Sequence, residues 1–145
     1  MLSYIEAGRN EGARVATGGN QALADSGGYY VEPTIFADAS NEMKIAREEI
    51  FGPVLTVIPV DDVERAVATA NDTQYGLAAA VWTRDISRAH RVARALRAGN
   101  VYVNTYDRGD ISLPFATFKQ SGVGVDKSLH ALDKYTRLKT TWISI

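Results

Sequence analysis

The chain contains no cysteine and only two histidines and four prolines among its 145 residues. Without cysteine, these residues form no disulfide bond and supply no thiolate nucleophile or thiolate metal ligand. His90 lies close to Arg88 and Arg91 in an amphipathic pattern, which predicts a solvated position on a helix. His130 is far from it in the sequence, so no metal site is expected.

Charge is nearly balanced, with 16 basic and 17 acidic residues and a formal net charge of −1. No polybasic surface is therefore expected to bind nucleic acid or anionic lipid. The longest purely apolar run, residues 77–82, is far shorter than the roughly 20 residues of a membrane-spanning helix. The first residues also lack the features of a secretory signal, so we expect a cytoplasmic protein with no nucleic-acid or membrane partner.

The middle of the chain alternates apolar strands with amphipathic helices. Residues 54–58, 77–82 and 101–103 read as buried strands, and the helices between them carry apolar residues at helical spacing. Asp61 or Asp62 can cap the first helix. The pattern predicts an α/β fold, in which a βαβαβ parallel sheet has flanking helices and functional loops follow the carboxyl ends of its strands.

The segment before this core reads as a helix, a loop and a strand. Residues 3–13 have a helical pattern, and residues 13–26 are polar and glycine-bearing, as in a surface loop. Residues 29–36 are aromatic and β-branched, which predicts a strand. Pro33 within it indicates an edge position or a bulge.

The segment after the core contains a long loop and a terminal strand. Residues 104–124 include several glycines and no obvious element, which is typical of a functional loop. Residues 128–135 could form a short helix. Residues 138–145 alternate as a half-buried strand, whose open edge could pair with another chain.

Several ordered motifs resemble the NAD(P)-dependent aldehyde dehydrogenase family, and together they span essentially the whole chain. They are Gly-Tyr-Tyr-Val-Glu-Pro-Thr-Ile-Phe at 28–36, Glu-Glu-Ile-Phe-Gly-Pro at 48–53, Ala-Asn-Asp-Thr-Gln-Tyr-Gly-Leu-Ala-Ala at 70–79, Gly-Asn-Val-Tyr-Val-Asn at 99–104, and Pro-Phe through Lys-Gln-Ser-Gly at 114–122. Residues 126–143 look most similar to the branch that oxidises γ-aminobutyraldehyde-type substrates. The resemblance implies the C-terminal portion of the family's catalytic domain at residues 1–137 and an oligomerisation strand at residues 138–145.

The hexapeptide at 48–53 carries the implied cofactor contacts. In the family its second glutamate, here Glu49, accepts hydrogen bonds from the nicotinamide ribose, and the phenylalanine, here Phe51, lies beside the nicotinamide. A carboxylate suits two adjacent hydroxyl donors, and a flat apolar ring limits where the nicotinamide can sit. The alternative is that Glu48 and Glu49 form a solvated acidic pair and Phe51 belongs to the core.

The resemblance also implies substrate contacts after the last parallel strand. Asp107 could pair with the amino group of an ω-aminoaldehyde, and Phe115 could supply an apolar wall. Equally, Asp107 could cap a turn with the following Arg108, Gly109 and Asp110. The chain departs from the family pattern at residues 116–117, where Ala-Thr replaces Gly-Gly, and at Val125, where an arginine is usual. Alanine and threonine resist some backbone angles that glycine permits, so this loop is expected to differ.

The family oxidises aldehydes to carboxylic acids with NAD or NADP through a cysteine thioester. The resemblance implies that this cysteine, the general base and the dinucleotide-binding half lie outside these residues, so no catalytic residue is assigned and the chain alone is expected to be inactive. Two alternatives remain. One is a non-catalytic module that forms homo-oligomers through residues 138–145, and the other is a truncated product without its own function.

Overall fold

A computed structural model describes residues 1–145, which divide into two compact units, Met1–Asp72 and Thr73–Ile145. The mixed α/β class is confirmed. The first unit contains α1 (Leu2–Asn10), β1 (Arg14–Thr17), β2 (Gln21–Ala22), β3 (Tyr30–Val31), β4 (Thr34–Ala37), α2 (Lys44–Arg47), β5 (Val54–Thr56) and α3 (Val63–Asn71). The second contains β6 (Tyr75–Gly76), β7 (Ala78–Val81), α4 (Ile86–Ala95), β8 (Asn100–Val103), β9 (Phe115–Ala116), β10 (Phe118–Lys119), β11 (Val125–Asp126) and a 3-10 helix (Leu129–Lys134). None of the helices is long and apolar enough to cross a bilayer.

A three-stranded sheet in the order β1-β4-β5 organises the first unit. β4 pairs with β1 in antiparallel and with β5 in parallel orientation. Its central residue Phe36 is completely buried, and α1 and α2 cover it with Ile5 and Ile45. This apolar cluster fixes the start of β5 and the connection that precedes it.

The strand predicted over residues 29–36 is divided at Pro33 into β3 and β4. The expected edge position is wrong, because β4 is the middle strand of its sheet. Pro33 falls in the gap between the two strands, so its missing N–H removes no ladder hydrogen bond. Gly18 has a φ of +68°, and a Cβ there would lie 2.2 Å from the Pro33 carbonyl oxygen. The loop expected at residues 13–26 therefore includes strand β1 and passes close to this division.

In the second unit, β7 and β8 pair in parallel and α4 connects them. The buried Ala89 and Val92 lie on α4, which packs against both strands. The Asp85 side chain caps α4 by accepting a hydrogen bond from the Arg88 N–H. In the first unit, Asp62 caps α3 in the same way, which resolves the choice between Asp61 and Asp62.

The predicted βαβαβ order is present along the chain, but its strands belong to separate sheets. β5 is in the sheet of the first unit, whereas β7 pairs with β8 only. A helix–strand alternation identifies strands and their direction but does not specify which strands are neighbours. The long loop at 104–124 was expected to lack regular elements. It contains β9 and β10, which pair with β11 and β6.

The strand predicted over residues 138–145 is not formed in this chain, where the segment has no regular secondary structure. Leu138, Trp142 and Ile145 are 106%, 90% and 121% exposed. A strand is defined by ladder hydrogen bonds, and the alternating pattern has no partner strand within the chain. The short helix expected at 128–135 is present as the 3-10 helix Leu129–Lys134.

Candidate cofactor and substrate sites

The Glu-Glu-Ile-Phe-Gly-Pro hexapeptide forms the connection between α2 and β5. α2 ends where Glu48 adopts an extended conformation, with φ −109° and ψ 150°. At the other end, the Gly52 carbonyl accepts a hydrogen bond from the Val54 N–H at 2.7 Å. The Pro53 carbonyl accepts another from the Thr34 N–H at 2.8 Å. The connection is thus anchored to the sheet directly after Glu49 and Phe51, the two positions predicted to contact a cofactor.

The two glutamates of this connection have different surroundings. Glu48 accepts a hydrogen bond from the Tyr4 hydroxyl at 2.8 Å, and its carboxylate lies 3.9 Å from the Lys44 ammonium. Glu49 is exposed, and its carboxylate accepts no hydrogen bond within the chain. Both Glu49 oxygens are therefore available to donors such as adjacent hydroxyl groups.

Phe51 is 87% exposed, so the interpretation of this side chain as core is wrong for this chain. Its φ of +55° lies in the left-handed region, which a bulky residue rarely occupies. Backbone strain of this kind costs about 1–3 kcal/mol and is concentrated at functional sites. The strained turn leaves the Phe51 ring at the surface, two residues after the exposed Glu49.

The second unit has a pocket of about 300 Å³ beside β8 and β9. This volume is at the lower end of the range of small-molecule sites. Its lining consists of Gly99, Asn100, Val101, Tyr102, Arg108, Gly109, Asp110, Leu113, Pro114, Phe115 and Lys127. Phe115 lines this cavity, whereas Asp107 is not part of its lining.

Asp107 lies at the turn before the pocket, with an exposed side chain and a φ of +53°. Its carboxylate accepts no hydrogen bond within the chain, so it does not cap the turn. Asp110 has that role, accepting hydrogen bonds from the Ser112 N–H at 2.8 Å and from the Ser112 hydroxyl at 2.6 Å. The Ser112 hydroxyl, then its N–H, and finally the nearby charge of Lys127 lower the pKa of Asp110.

Lys127 and Arg108 are pocket residues that the sequence did not indicate. The Lys127 ammonium lies 5.2 Å from the centre of the Phe115 ring. Pairing of β9 with β11 places Phe115 opposite Asp126, so the residue that follows Asp126 reaches the same pocket. The only sequence signal is a single lysine after a glycine-containing loop, which is a common surface pattern.

Two asparagines of the Gly-Asn-Val-Tyr-Val-Asn motif hold β8 in place. The Asn100 amide nitrogen donates to the carbonyl oxygens of Leu77 at 3.0 Å and Ala116 at 2.9 Å. At the other end of the strand, the Asn104 side chain accepts from the Thr83 N–H at 2.8 Å and donates to the Thr83 carbonyl at 2.9 Å. The sequence analysis did not assign these two residues a role. The signal that could have identified them is an asparagine at each end of one predicted strand.

The Ala-Thr dipeptide at 116–117 fits its loop without a left-handed backbone, since neither residue has a positive φ. The Thr117 hydroxyl donates to the Gly122 carbonyl at 2.9 Å, which closes the loop. Val125 pairs with Ala116 in the β9–β11 ladder. The departures from the glycine pattern are therefore accommodated by local hydrogen bonds.

The sequence matches the aldehyde dehydrogenase family over residues 1–141. Among curated relatives, the NADP/NAD-dependent aldehyde dehydrogenase PuuC of Escherichia coli strain K12 is 54% identical over 99% of this chain and 28% of the relative. The structure of P. syringae AldA indole-3-acetaldehyde dehydrogenase in complex with NAD+ and IAA is similar, with a TM-score of 0.93 and 63% identity over 99% of this chain and 29% of that one. The γ-glutamyl-γ-aminobutyraldehyde dehydrogenase from Burkholderia cenocepacia J2315 has a TM-score of 0.91 and 62% identity over 97% of this chain and 28% of its own length. The chain thus spans under a third of the length of these relatives.

Proposed function

The chain belongs to the aldehyde dehydrogenase family, and on that premise we propose that it forms part of an enzyme that oxidises an aldehyde to a carboxylic acid with NAD or NADP. The family match across residues 1–141 carries this proposal. It is supported by relatives described as using NADP or NAD and as bound to NAD+. We propose a substrate of the ω-aminoaldehyde class, because one similar structure is described as a γ-glutamyl-γ-aminobutyraldehyde dehydrogenase.

Within this function, the first unit contributes cofactor contacts. The Glu49 carboxylate would accept hydrogen bonds from the nicotinamide ribose, because neither of its oxygens has a partner in the chain. The exposed Phe51 ring would limit where the nicotinamide sits. When bound, the cofactor supplies the hydride acceptor for aldehyde oxidation.

The second unit contributes to the aldehyde path. Phe115 supplies an apolar wall of the pocket. Asp107, which precedes the pocket residue Arg108, would accept a hydrogen bond from the ammonium group of the substrate. The chain has no cysteine, so a thioester-forming step would require a thiolate outside these residues. We therefore expect that the chain alone, free of other aldehyde dehydrogenase, does not reduce NAD in the presence of an aldehyde. NAD reduction in proportion to chain concentration would contradict this.

The cofactor proposal is tested by Glu49→Gln in the native protein that carries this sequence. Loss of the charge should raise the KM for NAD or NADP roughly tenfold, because charge-assisted hydrogen bonds are among the stronger ones. Glu48→Gln is the matched control, since the Glu48 carboxylate is already engaged by Tyr4. Equal cofactor kinetics in both variants would contradict the role of Glu49, and absence of any aldehyde oxidation by the native protein would contradict the proposed function.

A second candidate function is assembly of a homo-oligomer through residues 138–145. The exposure of Leu138, Trp142 and Ile145 supports it, because apolar side chains in an unpaired segment can be covered by pairing with another chain. Light scattering coupled to size exclusion should show a larger species for the intact chain than for a variant that lacks these residues. A monomeric intact chain at high concentration would contradict assembly.

A further inference from the structure

Tyr4 on α1 connects the hydrophobic core of the first unit to the hexapeptide at 48–53. Its ring is half-buried and packs against the apolar cluster around Phe36. At the other end of the side chain, the hydroxyl donates a hydrogen bond of 2.8 Å to the Glu48 carboxylate. A tyrosine side chain has only two rotatable angles, so the packing of its ring also fixes the position of its hydroxyl. The hydrogen bond therefore ties Glu48 to the core.

Gly8, one helical turn after Tyr4, allows α1 to lie close to α2. A Cβ at Gly8 would be 2.9 Å from the Cδ1 atom of Ile45, so a side chain there would push the two helices apart. Residues four apart share one face of a helix, so the same approach brings Tyr4 to α2. There the Lys44 ammonium lies 5.1 Å from the centre of the Tyr4 ring and 3.9 Å from the Glu48 carboxylate. Both contacts hold Glu48 towards α1.

The side chains of residues 48–51 alternate between the core and the surface. Glu48 has an extended backbone, in which successive side chains point to opposite sides. Ile50 packs against the apolar cluster, whereas Glu49 is exposed and Phe51 is 87% exposed. Anchoring of Glu48 towards α1 therefore leaves Glu49 on the other, exposed side of the connection.

We propose that Tyr4 is a positioning residue for cofactor binding: by holding Glu48 towards α1, its hydroxyl keeps the Glu49 carboxylate on the side that meets the nicotinamide ribose. The inference rests on the proposed cofactor role of Glu49 and extends it to a residue of a different helix. Without the Tyr4 hydroxyl, the connection would also adopt conformations in which Glu49 is displaced. The apparent affinity for the cofactor falls with the fraction of molecules that are ready to bind it.

Tyr4→Phe tests this role, because it removes the hydroxyl and keeps the ring that packs against the core. In the native protein that carries this sequence, the variant should raise the KM for NAD or NADP roughly threefold, as expected for loss of one solvent-accessible hydrogen bond. The KM for the aldehyde and kcat should change little, since saturating cofactor selects the competent conformation. Tyr135→Phe, the same change at a ring that is 83% exposed, is the matched control and should leave the cofactor KM unchanged.

Two double variants distinguish positioning from a general loss of stability. Glu48→Ala removes the acceptor of the same hydrogen bond, so combining it with Tyr4→Phe should raise the cofactor KM no more than either change alone. Glu48→Gln, by contrast, keeps an oxygen that can accept from Tyr4 and should resemble wild type. Tyr4→Phe should have little further effect in the Glu49→Gln variant, because Tyr4 acts through that carboxylate. Additive effects in either double variant, or an unchanged cofactor KM in Tyr4→Phe, would overturn the inference.

Isothermal titration calorimetry with NAD+ and NADP+ separates this inference from the proposed function. A native protein that binds the cofactor more tightly than its Tyr4→Phe variant but oxidises no aldehyde would support the inference and overturn the proposed oxidation. Aldehyde oxidation with equal cofactor affinity in wild type and variant would support the proposed function and overturn the inference. Absence of binding to either cofactor would overturn both. An unchanged KM for the aldehyde in Tyr4→Phe would show that the variant remains folded.

Discussion

At the scale of single residues, Gly99 is a position in the second unit that leaves no room for a side chain. A Cβ at Gly99 would lie 2.0 Å from the Ala116 carbonyl oxygen and 2.4 Å from its carbon, so backbone would have to move. Gly99→Ala should therefore lower the free energy of unfolding by about 1–3 kcal/mol, the usual cost of overpacking. Urea denaturation would measure this as a lower midpoint with an unchanged m-value.

The control for this substitution is Gly109→Ala. Its added methyl would meet only the flexible end of Lys127, at 3.1 Å, and Gly109 does not need a positive φ. The variant should unfold close to the wild-type midpoint. Similar losses in both variants would contradict the argument from close backbone approach at Gly99.

At the scale of elements, α3 depends on the cap at its first turn. The Asp62 carboxylate accepts a hydrogen bond from the Arg65 N–H at 2.6 Å, whereas the neighbouring Asp61 makes no such bond. Asp62→Ala should lower the free energy of unfolding by about 1 kcal/mol. Asp61→Ala is the matched control and should change it little. Chemical denaturation of the two variants would measure the difference, and equal midpoints would contradict the assigned cap.

The cap of α4 makes the stability of that helix depend on pH. The Arg88 N–H, as the largest cause, lowers the pKa of Asp85 below its ordinary value of 3.8. The carboxylate therefore contributes stability above pH 3.8 that is lost as pH falls through the lower folded pKa. Asp85→Asn keeps a capping acceptor and removes the titration. Thermal unfolding between neutral and acidic pH should show a smaller acid loss for this variant than for wild type; parallel curves would contradict the prediction.

The same elements show how far the sequence determined the fold. Helices α3 and α4 and the strands around them were predicted, and Asp62 was one of the two candidate caps of α3, because periodicity and capping are local properties. The neighbours of β5 and β7 were not predictable, since pairing depends on contacts between distant segments. Glu49 and Phe51 could be identified as candidates from the sequence because they lie in one contiguous motif. Lys127 was missed because only the pairing of β9 with β11 brings it to Phe115.

At the scale of the whole molecule, the two units have unequal cores. In the first unit, an apolar cluster of buried residues surrounds Phe36. In the second, Ala89 and Val92 are the buried hydrophobic residues, and both are small. Burial of apolar surface is the main source of stability, so we expect the second unit to open locally at a lower free energy.

Hydrogen exchange followed by mass spectrometry would test this difference. Amides of β4 should exchange more slowly than those of β7 and β8, although all three strands form ladder hydrogen bonds. Gly12→Ala is a variant that destabilises the first unit alone. The added Cβ would have no atom within 4 Å, but alanine is strained at the φ of +93° that Gly12 adopts. It should speed exchange in β4 and leave β7 and β8 unchanged. Equal protection of the three strands in wild type would contradict the unequal cores.

The exposed segment 138–145 also has a spectroscopic consequence. It carries Trp142, one of the two tryptophans of the chain, and the other, Trp82, follows β7. Cleavage by trypsin after Arg137 or Lys139, both exposed, would therefore remove half of the indole groups while the folded units remain. Trp142 is 90% exposed, so anything that covers this segment should shift its fluorescence to shorter wavelength. The chain thus contains an intrinsic, label-free reporter of whether its final residues are free or covered.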